Sequence, residues 1–424
     1  MAEVAVWAEV WLWDARVGAV AETEDGQVTF EYDPAFRGRG LEISPLLLPG
    51  SRQGPVTFPE LHRLSAFEGL PGVLADALPD RFGNAVIAKY FSDRGRPGDA
   101  LRPVQKLLYI GNRAVGALEF RPPIKVRRAA ERESLEIAEL VEQARVVVEG
   151  RPDVSVPEML RIGASAGGAR PKALILWNRG ENVVRSGFAK PRAGDEHWII
   201  KFDGVGELGE PDATPRPFNR IELAYARMAT DAGITMSEVH LLEERGRGHL
   251  LVKRFDRPGG RKLHLHSLGG LHHVDFNLPG AFSYEQFLRT ILALGLDYPT
   301  MEEAFRRAVF NIAAVNQDDH VKNISFLMDD QGTWQLAPAY DLTYARGSGY
   351  TRYHQMSLNG KRDGFTREDL LALGAKMGIK RHGSEVIADV VGALSGWERY
   401  ATEAQVPDDR IREIRKQFRL SYDH

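Results

Sequence analysis

The chain has 424 residues, with 55 Lys and Arg against 58 Asp and Glu, a formal charge of −3, 43% hydrophobic residues and no cysteine. Without cysteine there is no disulfide staple, thiolate zinc site, iron–sulfur cluster or cysteine nucleophile. The near-neutral charge argues against a protein that coats nucleic acid electrostatically, and 9% aromatic residues with 27% charged argue against disorder.

At roughly 150 residues per domain, this length predicts two or three domains or one large bilobal unit. The first stretch, MAEVAVWAEVWLWDARVGAV, carries Glu3, Glu9 and Asp14 and has no basic leader. It reads as neither a signal peptide nor a membrane span, no later stretch reaches the roughly 20 uncharged apolar residues of a spanning helix, and a cytoplasmic protein is expected. Residues 4–33 alternate as a β-meander, with turns at Asp14 and at TEDG ending on Gly26, and Val28, Phe30 and Tyr32 on one face. Residues 70–90 mix helical spacing with the breakers Pro79 and Gly83, and LLYIGNRAVGALEF predicts two short strands around a Gly111–Asn112 turn. Pro122, Pro123 and the charged run KVRRAAERE then mark a boundary.

Beyond it, Leu135, Ile137, Leu140, Val141 and Ala144 predict a helix from Ser134, and a second is expected around 157–162. A Gly-rich stretch, GASAGGAR at 163–170, runs through Pro171 into the strand-like KALILW. Two more strands are expected, HWIIKFDG (197–204) and HLLVKRFDR (249–257), with a helix from Asn219 to Asp231 between them that stops at Gly233. From Tyr284 the pattern is mostly helical, broken by one hairpin at 323–340. It ends in RIREIRKQFRL, Arg410 to Leu420, whose Ile411, Ile414 and Phe418 suit a packed helix with a solvated basic face.

The segment NQDDHVKN, Asn316 to Asn323, carries the chemistry. Asp318 and Asn323 stand at the offset of the Asp and Asn of a protein-kinase catalytic loop, where Asp positions the acceptor hydroxyl and Asn holds Mg²⁺. The strand ISFLM, a DDQG turn and the strand TWQLAP then return a further carboxylate, Asp341, to the same end of the hairpin. Upstream, Lys201 on a strand is a candidate phosphate ligand, and Glu222 on the following helix is a candidate to hold that lysine. The loop SAGGARPK offers unobstructed backbone N–H groups at Gly167 and Gly168, with Arg170 and Lys172, to an anion. It is no Walker A motif.

Bland readings stand beside these. Asp318 or Asp319 would serve as a helix cap, Glu222 would favour the helix dipole, and Arg170 and Lys172 would be solvated. GASAG, Gly163 to Gly167, matches a serine-hydrolase elbow with Ser165 as nucleophile and Asp256 and His264 as partners, but a helix precedes it and a strand follows, the reverse of an elbow's context. His264, His266, His272 and His273 read as a flexible polar loop rather than a metal site.

SAGGARPKA, WIIKF, VKRFDR, NQDDHVKN and APAYDLT, in this order, resemble the HipA family of serine/threonine kinases, the toxins of type II toxin–antitoxin pairs. The resemblance implies an α+β, bilobal protein-kinase-like fold: a small β-rich N-terminal subdomain (1–125), a nucleotide-binding lobe with Gly-rich loop and hinge (126–260), and a mostly helical C-terminal lobe (261–424). It implies ATP and Mg²⁺ as cofactors, with Asp318 as catalytic Asp, His320 and Lys322 completing the catalytic loop, and Asn323 and Asp341 binding metal. Lys201 would contact phosphate, and backbone groups near Lys253 and Phe255 would hold adenine. Ser165 matches the family's autophosphorylation serine, whose modification expels the Gly-rich loop and switches the kinase off. The family often has Glu at Lys253, and some members have Gly at Asp319. Implied partners are a HipB-like helix-turn-helix antitoxin, with DNA engaged mainly through it, and an aminoacyl-tRNA synthetase substrate, glutamyl-tRNA synthetase being the commonest precedent. An inactive kinase fold acting as an antitoxin-binding co-repressor is the remaining alternative.

Overall fold

In the computed structural model, which describes residues 3–92, 101–124, 134–151, 170–206, 217–379 and 383–423, the N-terminal alternation becomes an antiparallel sheet. Its strands β1 (Val4–Leu12), β2 (Ala15–Thr23), β3 (Val28–Tyr32) and β4 (Leu118–Arg121) lie in the order β3-β2-β1-β4. Register aligns Ala8 with Val20 and Val20 with Phe30, so the buried positions share one face.

The expected strand LLYI is instead the end of a helix, Pro103–Ile110. Pro103 opens the first turn, the Gln105 side chain accepts the Arg102 N–H at 2.9 Å, and Val104, Leu107 and Leu108 are all buried. Gly111, at φ +58°, ends the helix rather than turning a hairpin. Gly83 likewise breaks nothing: it lies inside the helix Arg81–Ser92, where its N–H is capped by Asp80 at 2.6 Å.

A second antiparallel sheet is built from β5 (Lys172–Asn178), β6 (Val183–Ser186), β7 (Asp195–Lys201), β8 (Val239–Glu244) and β9 (Arg247–Lys253), in the order β6-β5-β7-β9-β8. Ala173, Ile175, Trp177, Trp198, Ile200 and Leu251 form one face, packed with Leu140, Val141 and Ala144 of the helix Ile137–Val148. The alternate positions, including Lys172 and Lys201, therefore occupy the opposite face.

The chain divides into two compact units. The first comprises Met1–Arg216, Val239–His266 and Leu327–Gly332 and holds these two of the three sheets; the second comprises Pro217–Glu238, Ser267–Phe326 and Thr333–His424. The second unit is helical, with Phe218–Asp231, Tyr284–Ala293, Tyr298–Ala313, Arg367–Lys376, Gly383–Ser395, Trp397–Glu403 and Asp408–Arg415. Ser283 and Thr366 start two of these with capping boxes, and Asp297 caps a third. An aromatic cluster of Tyr225, Phe310, Trp397 and Phe418, with ring centroids 5.5–6.2 Å apart, fills its interior. The last helix stops at Arg415, shorter than the 410–420 periodicity suggests, but Ile411, Ile414 and Phe418 are buried. Among the described residues no helix is long and apolar enough to cross a membrane.

Candidate active site

The buried helix Tyr298–Ala313 delivers the chain to the NQDDHVKN loop through Val315, which stands at φ +56°. A β-branched residue in the left-handed region costs about 1–3 kcal/mol and persists only where its surroundings over-determine it. Here Ala345 supplies that determination: its N–H donates to Val315 O at 3.2 Å, and its carbonyl accepts the Gln317 N–H at 2.9 Å.

The loop then turns through a short 3₁₀ helix, Val321–Asn323. Asn323 Nδ2 donates to Asp318 O at 3.1 Å, so the kinase-like offset has a geometric cause: the amide ties the loop across its own width. Asp318 keeps a half-exposed carboxylate (39%), and His320 Nε2 lies 3.8 Å from Asp318 Oδ1, too far for a hydrogen bond. The His320 ring lies tilted against Phe276, centroids 5.2 Å apart, and Lys322 Nζ sits 5.7 Å from the Phe276 ring. Beyond β11 (Ser325–Met328) and β12 (Trp334–Leu336), Ala337 N–H donates to Ser325 O at 2.9 Å and closes the hairpin. The chain next runs beside Thr235–Ser237, with Ala339 N–H to Thr235 O at 2.8 Å, and reaches Asp341 at φ +54°, where a left-handed turn redirects it. The Tyr340 hydroxyl donates to Lys322 O at 2.8 Å, tying the Asp341 segment to the loop. Asp318, His320, Lys322, Asn323 and Asp341 thus belong to one unit, as does Glu222, buried on the helix Phe218–Asp231.

Asp319 answers the choice between adjacent carboxylates. It is fully buried, accepting the Tyr284 hydroxyl (2.5 Å), His354 Nδ1–H (2.9 Å) and the Gln355 N–H (2.6 Å). The short helix Val321–Asn323 starts from His320 rather than from either Asp, and the Asp318 side chain is the more exposed of the two.

The remaining candidates lie in the first unit or outside the described residues. Ser165, Gly167 and Gly168 fall in the latter group. Lys172 and Lys201 are cross-strand partners on β5 and β7, so their side chains leave the same face, and both are buried. Lys172 is not solvated: its Nζ pairs with the buried Asp80 carboxylate at 3.8 Å. Lys253, paired with Trp198 across β7 and β9, directs its side chain to Glu196 and lies 5.7 Å from the Trp198 ring. After Phe255, Asp256 is clamped by Arg254 (2.7 Å) and Arg257 (2.8 Å) and accepts the Gly116 N–H at 2.8 Å. Burial pushes the Asp256 pKa up, but the two guanidiniums outweigh it and hold the carboxyl well below its usual range. Asp256 is therefore a fastening of the hinge segment rather than a histidine orienter.

The histidines correct the flexible-loop expectation. His264 and His266 lie on β10 (His264–Ser267), both fully buried. His264 Nε2 is 2.8 Å from Ile43 O, while His266 bonds Asp76 Oδ2 at 2.7 Å through Nδ1 and Ser44 Oγ at 3.0 Å through Nε2. Enclosed on all three members, that Ser–His–Asp string is a polar pin in the core. His272 bonds Thr290 Oγ1 at 2.8 Å, and His273 occupies the left-handed C-cap of its helix. No group of three or more potential ligands from His, Cys, Asp and Glu occurs among the described residues.

A family model described as the HipA-like C-terminal domain matches residues 164–406, and one described as the HipA N-terminal domain matches 8–121. The chain belongs to the HipA family. A chain of the Shewanella oneidensis MR-1 toxin–antitoxin complex of HipA, HipB and operator DNA has the same fold, with a TM-score of 0.68 and 17% identity over 98% of this chain and 96% of that one. Two curated relatives carry the name "Putative kinase". Y4dM of Sinorhizobium fredii is 25% identical over 49% of this chain and 55% of its own, and a Haemophilus influenzae protein is 29% identical over 35% and 47%. This HipA-family chain therefore aligns with about half the length of the curated relatives it matches.

Mg²⁺ and a nucleotide, which the family implies, fit the residues present. Asn323 spends its amide N–H on Asp318 O, which leaves its carbonyl oxygen as a donor, and Asp341 adds a carboxylate. Two oxygen ligands suit Mg²⁺, which keeps waters and substrate phosphates around it. On the first unit, the cross-strand partners Lys172 and Lys201 leave one face and would meet a polyphosphate there, Lys172 already being paired with Asp80.

Proposed function

We propose that this HipA-family protein is an ATP- and Mg²⁺-dependent serine/threonine protein kinase acting as a HipA-like toxin. The observation that carries the reading is the pair of adjacent aspartates with opposite fates: Asp318 exposed on a loop braced by Asn323, and Asp319 buried beneath it. Asp318 accepts the proton of the acceptor hydroxyl as the new oxygen–phosphorus bond forms and the bond to the leaving β-phosphate oxygen breaks. His320 and Lys322 shape the loop around that carboxylate. Asn323 and Asp341 hold the metal, which neutralises charge on the phosphates when bound. Lys201 and Lys172 bear on the phosphates together with the backbone of Gly167 and Gly168, and the backbone near Lys253 and Phe255 receives adenine.

Further proposals follow from the family. Ser165 is the autophosphorylation site, and the protein works in the cytoplasm. Its substrate is an aminoacyl-tRNA synthetase, with glutamyl-tRNA synthetase first, whose phosphorylation stalls translation. A HipB-like antitoxin is the regulatory partner, supported by the HipB and operator DNA in the complex of the similar Shewanella chain; DNA is engaged mainly through that partner. The three-part division at 125 and 260 describes the working segments.

Incubation with γ-labelled ATP and Mg²⁺ tests the reading. Wild type should label itself, Asp318→Ala should lose at least about 10³-fold of that rate, and Ser165→Ala should lose most of the label. Labelling that survives Asp318→Ala overturns the site. Ester hydrolysis sensitive to Ser165→Ala, without labelling, indicates the hydrolase, and silence in both assays indicates a binding-only co-repressor.

A further inference from the structure

We propose that Asp319 is a positioning residue: it locks the catalytic loop to the segment 350–355 and so fixes the direction in which Asp318 faces its acceptor. The proposal rests on the kinase reading above.

Consecutive side chains on an extended loop leave opposite sides of the backbone, so anchoring one fixes the aim of the other. Asp318 is 39% exposed by its side chain and Asp319 is 0%. A buried carboxylate is tolerated only when its oxygens are met by donors. Among the described residues those donors are the Tyr284 hydroxyl and His354 Nδ1–H on Oδ2, and the Gln355 backbone N–H on Oδ1. Each donor comes from a part of the second unit that must be placed correctly. Tyr284 opens the helix Tyr284–Ala293 between the two members of its capping box, Ser283 and Gln286, and burial together with Asp319 keeps its hydroxyl protonated as a donor. His354 and Gln355 belong to the segment after Asp341.

Gln355 carries the lock further. Its Nε2 shares its two N–H groups among three carbonyls, Gln317 O (3.0 Å) on the catalytic loop and Tyr350 O (2.7 Å) and Tyr353 O (2.9 Å) on its own segment. With the Ala345 bonds to Val315 and Gln317, the loop is fastened to the post-Asp341 chain at two places. Asparagine could not replace the aspartate. Three donors face two oxygens, and an amide would turn an N–H₂ group against at least one of them.

The test compares Asp319→Asn, Tyr284→Phe and Gln355→Leu with wild type in full-length protein. Measurements are kcat and KM for Mg-ATP self-labelling, affinity for a non-hydrolysable ATP analogue with Mg²⁺, and hydrogen exchange. The positioning role expects kcat to fall about 10²-fold in Asp319→Asn and several-fold in each of the other two, with KM and analogue affinity within about threefold. It also expects faster exchange in 316–323 and 350–355, with the helix Gly383–Ser395 unchanged. Wild-type kcat in folded Asp319→Asn overturns it, as does a kcat loss matched by an equal loss of nucleotide affinity. Should Asp319→Asn fail to fold, Tyr284→Phe and Gln355→Leu decide, and unchanged kcat in both overturns the proposal. If wild type transfers no phosphate, it is the kinase reading that fails. The exchange of the two segments then decides the lock by itself, and unaltered exchange in all three variants overturns it.

Discussion

Asp80 shows how much one carboxylate can carry. It caps the helix Arg81–Ser92 through the Gly83 N–H and faces Lys172 Nζ at 3.8 Å, with both side chains buried and Lys201 directly across the strand pair. Like charges opposite one another in a sheet repel, and Asp80 offsets part of that repulsion while sharing a buried ion pair with Lys172. Asp80→Ala should cost about 3–5 kcal/mol in urea denaturation. Adding Lys172→Met should recover most of that and leave the loss of the cap, about 1 kcal/mol. A double variant no more stable than Asp80→Ala alone would show that the ion pair is not the reason. Neither Asp80 nor Asp319 was legible from spacing, because their partners lie far away in the chain. The doubled DD of NQDDHVKN was the one visible hint that a second carboxylate had separate work.

At the scale of elements, composition indicates which segments are apolar but close approach decides which substitutions they tolerate. Gly187 follows β6, and its N–H donates to Leu174 O at 3.0 Å; a Cβ there would meet the Leu174 carbonyl at 2.7 Å. Gly392 lies in the helix Gly383–Ser395 with nothing within 4 Å of an added Cβ. Gly187→Ala should therefore destabilise by about 1–3 kcal/mol, and Gly392→Ala should stabilise by roughly 0.5–1 kcal/mol, read as opposite shifts in Tm. Shifts of the same sign would contradict the packing. The LLYI segment teaches the same lesson in reverse. Its apolar run suits a strand or a buried helix equally, and only Pro103 and Gln105 at the preceding turn tip it to helix.

Across the whole molecule, two buried histidines and one half-buried one set the pH response. Burial above all pushes the pKa of His197, His249 and His264 down to about 4, helped at His197 by Arg254 and Arg257, at His249 by Arg247 and at His264 by His266. In the unfolded chain these imidazoles take up protons near pH 6.5, whereas the folded chain refuses them until about pH 4. The unfolded state thus binds more protons in that window, and stability that is complete above about pH 7 declines as pH falls from 6.5 to 4. The urea midpoint at pH 5 should be lower than at pH 7.5, and an unchanged midpoint would refute the assignment. All three histidines belong to the first unit, so its unfolding should show the larger shift.

The sequence by itself determined the elements whose causes are local: the N-terminal meander, the strands β5, β7 and β9 of the second sheet, the periodic helices and the hairpin around DDQG. It also placed Asp318, Asn323 and Asp341 in one stretch of chain, because a catalytic loop and the hairpin after it are continuous. What only the tertiary structure decided depends on partners distant in sequence. Asp319 is buried by Tyr284 and His354, Lys172 is claimed by Asp80, Asp256 is clamped by two arginines and Gly116, and the histidines of β10 become core pins against Ile43, Ser44 and Asp76. A titratable side chain in a polar run has the same local pattern whether it meets water or a buried donor. Its environment is fixed by folding, and with it the work the side chain does.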